Sequence, residues 1–430
     1  MSQKQNNSNI VAIITMFFMF AMISFVTNMA APFGNIWKTH YEWSGMFGNL
    51  MNFAAYLFMG IPAGKLLIKI GYKKTALIAL VVGFIGIAVQ FCSSFLAVGM
   101  AALVVYLLGA FICGFCVCML NTVVNPMLNT LGGGGNRGNQ LIQTGGALNS
   151  LAGTLTPLLA GAMIGTITKQ TAMSQVRPLL IIALAVFAAS FLILYLVAIP
   201  EPAAQRQALD SNDKHSAWSF RHLVFGVVAI FFYVGIEVGI PGELNFYLSS
   251  PDASGAGLGE GAAIIGGAIA AVYWLLMLVG RLASSALSSK VSPKAQLTFV
   301  SALAIAFIIV AIFLPASVQV NMPGFANGHF TMMQVPMCAL FLVLCGLCTS
   351  LMWGSIFNLA VEGLGKYTEQ ASGIFMMMVV GGGIMPLIQD WMARHIGYIN
   401  SYWLVVAMLA FILWFALFGS KNVNKDIKVD

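Results

Sequence analysis

Charge is what this sequence has least of. Only 8% of its 430 residues are Asp, Glu, Lys or Arg, while 60% are hydrophobic, and the mean hydropathy is +0.90. Soluble domains carry about a quarter charged residues, so the chain cannot be water-soluble throughout. Basic blocks interleaved with aromatics are missing, and with them the case for nucleic acid. The net charge of +7 points instead to lysines that orient the chain in a membrane. No His-Glu-x-x-His pattern, Ser/His/Asp set or metal-ligand cluster occurs, and His40, His215, His222, His329 and His395 fall in loops or near the ends of apolar runs. No enzyme activity and no metal site is expected.

Cysteine is sparse as well. The seven, at 92, 113, 116, 118, 338, 345 and 348, all lie inside apolar runs and read as small buried hydrophobes. Cys113-Gly-Phe-Cys116 mimics a redox or metal pair but lacks a second pair, a nearby histidine and an aqueous loop. Gly132-Gly133-Gly134-Gly135 mimics a phosphate cradle but lacks the lysine and hydroxyl that a P-loop needs. The N-terminal MSQKQNNSN runs into an apolar stretch with no small-residue cleavage site, so it is expected to be retained.

What the chain does have is long apolar runs. They fall at roughly 9–36, 44–70, 74–95, 98–130, 139–166 and 177–200, then at 223–249, 258–289, 296–318, 331–361, 369–396 and 400–420. Each is long enough to cross a bilayer as a helix, which takes about 20 residues, and helices satisfy their own backbone groups in lipid. The fold class expected is an all-α membrane protein of twelve transmembrane helices in two pseudo-symmetric six-helix bundles. Residues 1–200 form the first bundle, 201–222 a polar cytoplasmic linker and 223–430 the second. With both termini cytoplasmic, the outer loops hold four basic residues, Lys38, Lys169, Arg177 and Arg394, and the inner side holds the other 16 of 20, as the positive-inside bias requires.

Two bundles joined by a polar linker suit alternating access. GKLLIKIGYKK (64–74) follows span 2, and GRLASSALSSKVSPK (280–294) follows span 8, the equivalent place in the second half. Each opens on a glycine and a basic residue, so Lys65 and Arg281 are expected to latch the cytoplasmic ends of neighbouring helices. Obedience to the inside-positive bias alone is the plainer reading of each.

Polar groups at bilayer depth are costly unless they find a partner or water, and so mark pathways. In the stretch CMLNTVVNPMLNTL, Asn121, Asn125 and Asn129 recur every four residues and share one helix face, while Pro126 frees a carbonyl one turn earlier. Asn28 in span 1, Gln143 and Asn149 in span 5 and Asn358 in span 10 extend the set, and Trp274 and Trp353 supply flat apolar rings. Amides both donate and accept hydrogen bonds and aromatic rings accept the C–H faces of a pyranose, which together is the chemistry of a neutral sugar site. Helix–helix glue is the alternative for any one asparagine.

These stretches carry a resemblance. LNTVVNPMLNTLGG (120–133), LNSLAGTLTP (148–157), FYVGIEVGIPGEL (232–244), IFNLAVEGLGKYT (356–368) and GGGIMPLIQD (381–390), with PAGKLLIKIGYKK (62–74), make the chain similar to the fucose/galactose/glucose–proton symporters, a branch of the major facilitator superfamily. The resemblance implies twelve helices around a central cavity and uptake of a sugar with a proton. Some members of that branch carry a carboxylate in span 1, four residues before a proline, and another in the span 4 stretch. Those positions here are Asn28 and Asn121, and an amide cannot take up a proton near neutral pH. A span 5 glutamine of the branch is replaced by Gly146, which could widen the cavity for a bulkier sugar or disaccharide, and Asn149 matches the asparagine three residues on.

Glu237 remains as the deep carboxyl. It can take a proton on one side of the membrane and release it on the other, and Glu243 lies further out. Either could instead be a structural carboxyl. The function expected is a sugar importer of the bacterial cytoplasmic membrane. Asn28, Asn121, Asn125, Gln143, Asn149, Trp274, Trp353 and Asn358 would contact a neutral mono- or disaccharide, and Glu237 and Glu243 would serve coupling. No cofactor is expected beyond the coupling proton. Sodium is the alternative coupling ion, because asparagines and freed carbonyls can ligate it. A uniporter of the same fold stays open, as does a non-transporting sensor, for which the linker and short tail are expected to leave no signalling domain. The expected partners are sugar and lipid bilayer, with the protein a monomer.

Overall fold

The computed structural model describes residues 2–132, 135–164, 171–199, 215–250, 255–259, 261–287, 291–326, 329–424, 426–427 and 429. Most of the expected linker, 201–214, lies outside the described residues, as do Gly133 and Gly134 of the glycine run and the side chain of Asn129.

The helices follow the apolar runs. Span 1 is Ser2–Asn28 continued by Ala30–His40; spans 2 to 6 are Phe47–Ile70, Tyr72–Ser93, Met100–Leu131, Gly135–Ile164 and Arg177–Leu196. Spans 7 to 9 are Arg221–Ser249, Ala262–Leu287 and Pro293–Phe313. Span 10 is Met337–Thr349 with Met352–Val361, span 11 is Thr368–Met377 with Gly381–Ile396, and span 12 is Tyr398–Trp414. Among the described residues, eleven segments are long and apolar enough to cross a membrane. Span 5, at 30 residues, is long enough too but rich in Gly, Asn, Gln and Thr, and it is the one that carries most of the site.

Between spans 9 and 10 the chain forms an antiparallel hairpin, β1 (Gln319–Ala326) paired with β2 (His329–Pro336), Gln319 opposite Pro336 and Phe325 opposite Phe330. The sequence reading assigned 314–318 to span 9 and 331–336 to span 10, and the structure corrects both. The stretch 319–336 alternates polar and apolar residues around Asn327-Gly328, a strand period and a hairpin signal, which a count of apolar residues alone does not separate from a helix. The rest of the all-α expectation stands.

Prolines set which carbonyls are free and, in span 1, where the helix breaks. Span 1 breaks at Met29 because Pro32 has no N–H for the carbonyl of Asn28. Pro241 does the same to the carbonyl of Glu237 within span 7, and Pro386 to that of Gly382 within span 11. The last is repaired from the other half, where Asn49 on span 2 donates to the Gly382 carbonyl at 2.7 Å.

Spans 2 and 11 pack together, as do spans 5 and 8, and these two pairs form the seam between the first six and the last six helices. The seam is close because Gly382 and Gly383 are bare, and bare Gly381 lets span 11 lie against span 7. A Cβ on Gly383 would come within 2.9 Å of Leu50 Cα across the seam, and one on Gly381 would run into the Phe231 carbonyl of span 7. Gly381→Ala is therefore expected to cost about 1–3 kcal/mol through overpacking, seen as a lower melting temperature in detergent; an unchanged Tm would show that the two helices can part at no cost.

Candidate functional site

The side of the bundle that carries both chain ends is here the termini side, and the opposite side, where the hairpin lies, is the far side. Midway between them, polar groups from both halves converge on span 5. Gly153 on span 5 makes the first meeting point: a Cβ there would lie 3.1 Å from Ser24 Oγ and 3.3 Å from Asn28 Nδ2 on span 1, and 3.6 Å from Trp274 Cδ2 on span 8. One turn earlier, Asn149 donates to the Phe20 carbonyl at 3.2 Å. Gln143, nearer the termini side, places its Nε2 3.1 Å from where a Cβ would stand on Gly354 of span 10. Trp353, beside Gly354, meets Tyr233 edge-on at 6.1 Å and Phe375 at 5.8 Å.

A charged pair sits in this layer. Glu237 falls near the middle of span 7, and its Oε1 accepts from Arg281 Nη2 at 3.2 Å. The same guanidinium crosses the seam, where Nη1 donates to the Gly146 carbonyl at 2.7 Å and to Ser150 Oγ at 3.0 Å on span 5. The side chains keep 11% and 14% exposure for Arg281 and Glu237, so the pair is almost dehydrated. Tyr233 stands one turn before Glu237, and Tyr273 shares a hydrogen bond with Thr349 of span 10 at 2.8 Å.

The structure moves Arg281 from where its position in the chain suggests. Gly280-Arg281 was read as a basic turn closing span 8, but the helix runs on to Leu287. The long side chain reaches inward instead, and is the deep cation that the sequence did not reveal. It also fills the room left by Gly146, since a Cβ on that glycine would stand 3.6 Å from Arg281 Cδ. The wider cavity inferred from Gly146 therefore does not follow.

The asparagines are arranged less openly than their spacing implies. Asn28 Nδ2 bonds the Ser24 carbonyl at 2.9 Å and its hydroxyl at 3.0 Å. Asn125 Nδ2 bonds the Asn121 carbonyl of its own helix at 2.9 Å, and Asn121 Nδ2 donates to the Tyr56 hydroxyl of span 2 at 2.8 Å. Donors so engaged leave the amide oxygens for a ligand. Asn358 is exposed near the termini-side end of span 10. A polar side chain so placed faces water, not hydrocarbon, which puts it at a mouth and apart from the central layer. Lys65 is exposed near the termini-side end of span 2. Lys73 of that basic cluster does join helices, donating to the carbonyls of Tyr195 and Val197 at the end of span 6, at 2.9 and 2.7 Å.

Glu243 belongs to a second cluster, at the far side. Lys38, expected in an outer loop, lies on the helical continuation of span 1. Its ammonium is 3.6 Å from Asp390 Oδ1 of span 11 and 3.5 Å above the Phe246 ring of span 7. Asp390 also pairs with Arg394 at 2.9 Å. Glu243 is completely buried within Coulombic range of Lys38, Asp390 and Arg394, and neither of its oxygens has a hydrogen-bond partner among the described residues. Since Lys38 comes from the first half and the rest from the second, the cluster seals the far side. Spacing gave no hint of this, and nothing in the sequence linked Tyr56, Ser24 or Ser150 to the site beyond a polar residue at bilayer depth.

The model of the Major Facilitator Superfamily matches residues 11–379. A glucose/galactose transporter of Brucella abortus biovar 1 (strain 9-941) is 30% identical over 428 residues, 98% of this chain and 96% of that protein. The L-fucose-proton symporter of Escherichia coli (strain K12) is 23% identical over 396 residues, 86% of this chain and 83% of its own length. A crystal structure of the E. coli fucose:proton symporter matches the fold with a TM-score of 0.70, covering 96% of this chain and 100% of that one at 19% identity.

Proposed function

Since the chain belongs to the Major Facilitator Superfamily, we propose that it imports a neutral sugar across the bacterial cytoplasmic membrane by alternating access, coupled to protons through Glu237. It is a multi-pass transporter and not an enzyme. In this reading the two halves, before and after the linker 201–222, are the repeated units, both termini are cytoplasmic, and the closed far side faces out. Sugar enters the layer held by Asn28, Asn121, Gln143 and Asn149, with Trp274 as the ring on which a pyranose face lies. Curated relatives named for glucose/galactose and for L-fucose with a proton support the substrate class and the coupling.

The observation that carries the reading is the Glu237–Arg281 pair, set at mid-depth and joined across the seam to the Gly146 carbonyl and the Ser150 hydroxyl of span 5. Together the two charges sum to zero, so an uncharged substrate leaves the site neutral. The same pair favours a proton over sodium: a sodium ion needs several oxygen ligands at once and part of the carboxylate is already taken by Arg281, whereas a proton binds a single oxygen.

Two measurements test the proposal. Purified protein is heated with a panel of neutral hexoses, because a ligand that binds the folded state raises its melting temperature. Counterflow of the stabilising sugar is then followed in proteoliposomes. No stabilisation and no counterflow with any member of the panel would end the sugar reading. Trp274→Ala is expected to raise KM about tenfold, equivalent to about 1.4 kcal/mol of lost stacking, with the maximal rate and the accumulation ratio unchanged. A KM that stays put would take Trp274 out of the site.

A further inference from the structure

Glu237 is joined to the other half of the protein through one side chain. Arg281 divides its donors between the Glu237 carboxylate on span 7 and two oxygens on span 5, those of Gly146 and Ser150. Arg281 lies directly over Gly146, its guanidinium 3.6 Å from where a Cβ would be, at ordinary contact distance. A larger side chain at 146 would occupy that volume.

We propose that Arg281 is the coupling residue that converts protonation of Glu237 into release of one half of the protein from the other. This rests on the reading of Glu237 as the coupling carboxyl. With Glu237 ionised the pair is neutral and Arg281 stays bonded across the seam. A proton taken from water on one side turns the carboxylate into a carboxyl, and the pair then carries one net positive charge. A guanidinium stripped of its counter-charge in a nearly dehydrated place is strongly disfavoured. Arg281 has an alternative, because it lies six residues before Leu287, the termini-side end of span 8, and a long basic side chain can extend its charge toward the interface. Withdrawal breaks both bonds to span 5 at once. When the proton leaves to water on the other side, the carboxylate draws Arg281 back and the seam is tied again. The groups around Glu237 fit this role: Tyr233 on its own helix, Tyr273 on span 8, Thr349 on span 10 and Ser150 on span 5 are uncharged, and Arg281 is the charged group within its Coulombic range.

The test needs no sugar, so it does not depend on the substrate being right. Spin labels are placed at Trp43→Cys and Ile396→Cys, exposed far-side positions on the first and second halves. The background is Cys92→Ser, because the other six cysteines are buried. Distances are measured by double electron–electron resonance in full-length protein in nanodiscs at acidic and mildly alkaline pH. The wild type is expected to change its far-side-open fraction several-fold between the two. Arg281→Gln is expected to abolish that dependence and Arg281→Lys to restore part of it, since an ammonium keeps the charge without the fork. Gly146→Gln, which leaves Arg281 in the chain but takes its space, is expected to behave like Arg281→Gln. If Arg281→Gln or Gly146→Gln keeps the wild-type pH dependence, Arg281 is only a structural cross-link and the proposal falls. If the wild type itself shows no pH dependence while sugar counterflow persists, Glu237 is not a coupling group and the inference falls with it, leaving a uniporter.

Discussion

Glu237→Gln is expected to carry sugar without concentrating it. For one proton per sugar, a gradient of one pH unit supports about tenfold accumulation, because each unit is worth about 1.4 kcal/mol. The amide keeps the shape of the side chain and an oxygen for Arg281 but cannot bind and release a proton. The accumulation ratio in proteoliposomes should therefore fall from about tenfold to about one, while counterflow, which requires only binding and reorientation, continues. The variant also leaves the nearly buried Arg281 without its counter-charge, so a loss of stability is expected beside the loss of coupling. The double variant Glu237→Gln with Arg281→Gln separates the two effects: removing both charges should recover much of the melting temperature and none of the accumulation. Tenfold accumulation by Glu237→Gln would refute the coupling role outright.

Lys38→Met is expected to open the far side. Lys38 is the first-half contribution to a cluster otherwise built from Asp390, Arg394 and Glu243 of the second half. Without it buried Asp390 keeps Arg394 as its ion-pair partner but loses its tie to the first half, and the ring of Phe246 loses the ammonium above it. Removing one partner of a fully buried pair costs about 3–5 kcal/mol. Lys38 keeps 20% exposure, so about 2 kcal/mol is the fair expectation after screening. That is enough to move a two-state equilibrium by more than about tenfold. Met46, buried beneath the seal against Gly242, offers the readout. A thiol at Met46→Cys should react with an impermeant maleimide more than about ten times faster in the Lys38→Met variant than in its absence. Adding Asp390→Asn should bring the rate back part of the way, by removing the buried carboxylate that lost a cation. Equal rates in all three proteins would mean that the cluster packs against the seal without holding it.

Much of this was legible beforehand for a local reason. Polar backbone in lipid has to be bonded within its own segment, so twelve helices can be counted from runs of apolar side chains, and Glu237, Trp274 and the asparagines stand out as polar or flat groups where leucine would be expected. Legibility stopped wherever a long side chain chose between two directions. Arg281 was read outward to a cytoplasmic turn and Lys38 to an outer loop, yet both point into the protein, because each finds a carboxylate contributed by a different helix. The hairpin was lost for another local reason: eight-residue strands that are half apolar look, by composition, like the end of a helix.

Sequence alone determined the number of crossings, the polar character of span 5 and the presence of a carboxyl at mid-depth in span 7, since each depends on residues near one another in the chain. Tertiary structure decided which of those residues meet. The partner of Glu237, the use made of the bare position at 146, the employment of the asparagine donors within and between helices, and the seal at Lys38 all depend on how helices are rotated and crossed. That rotation is settled by packing between segments more than a hundred residues apart, as in the 135 positions that separate Arg281 from Gly146, and no periodicity within a single span records it.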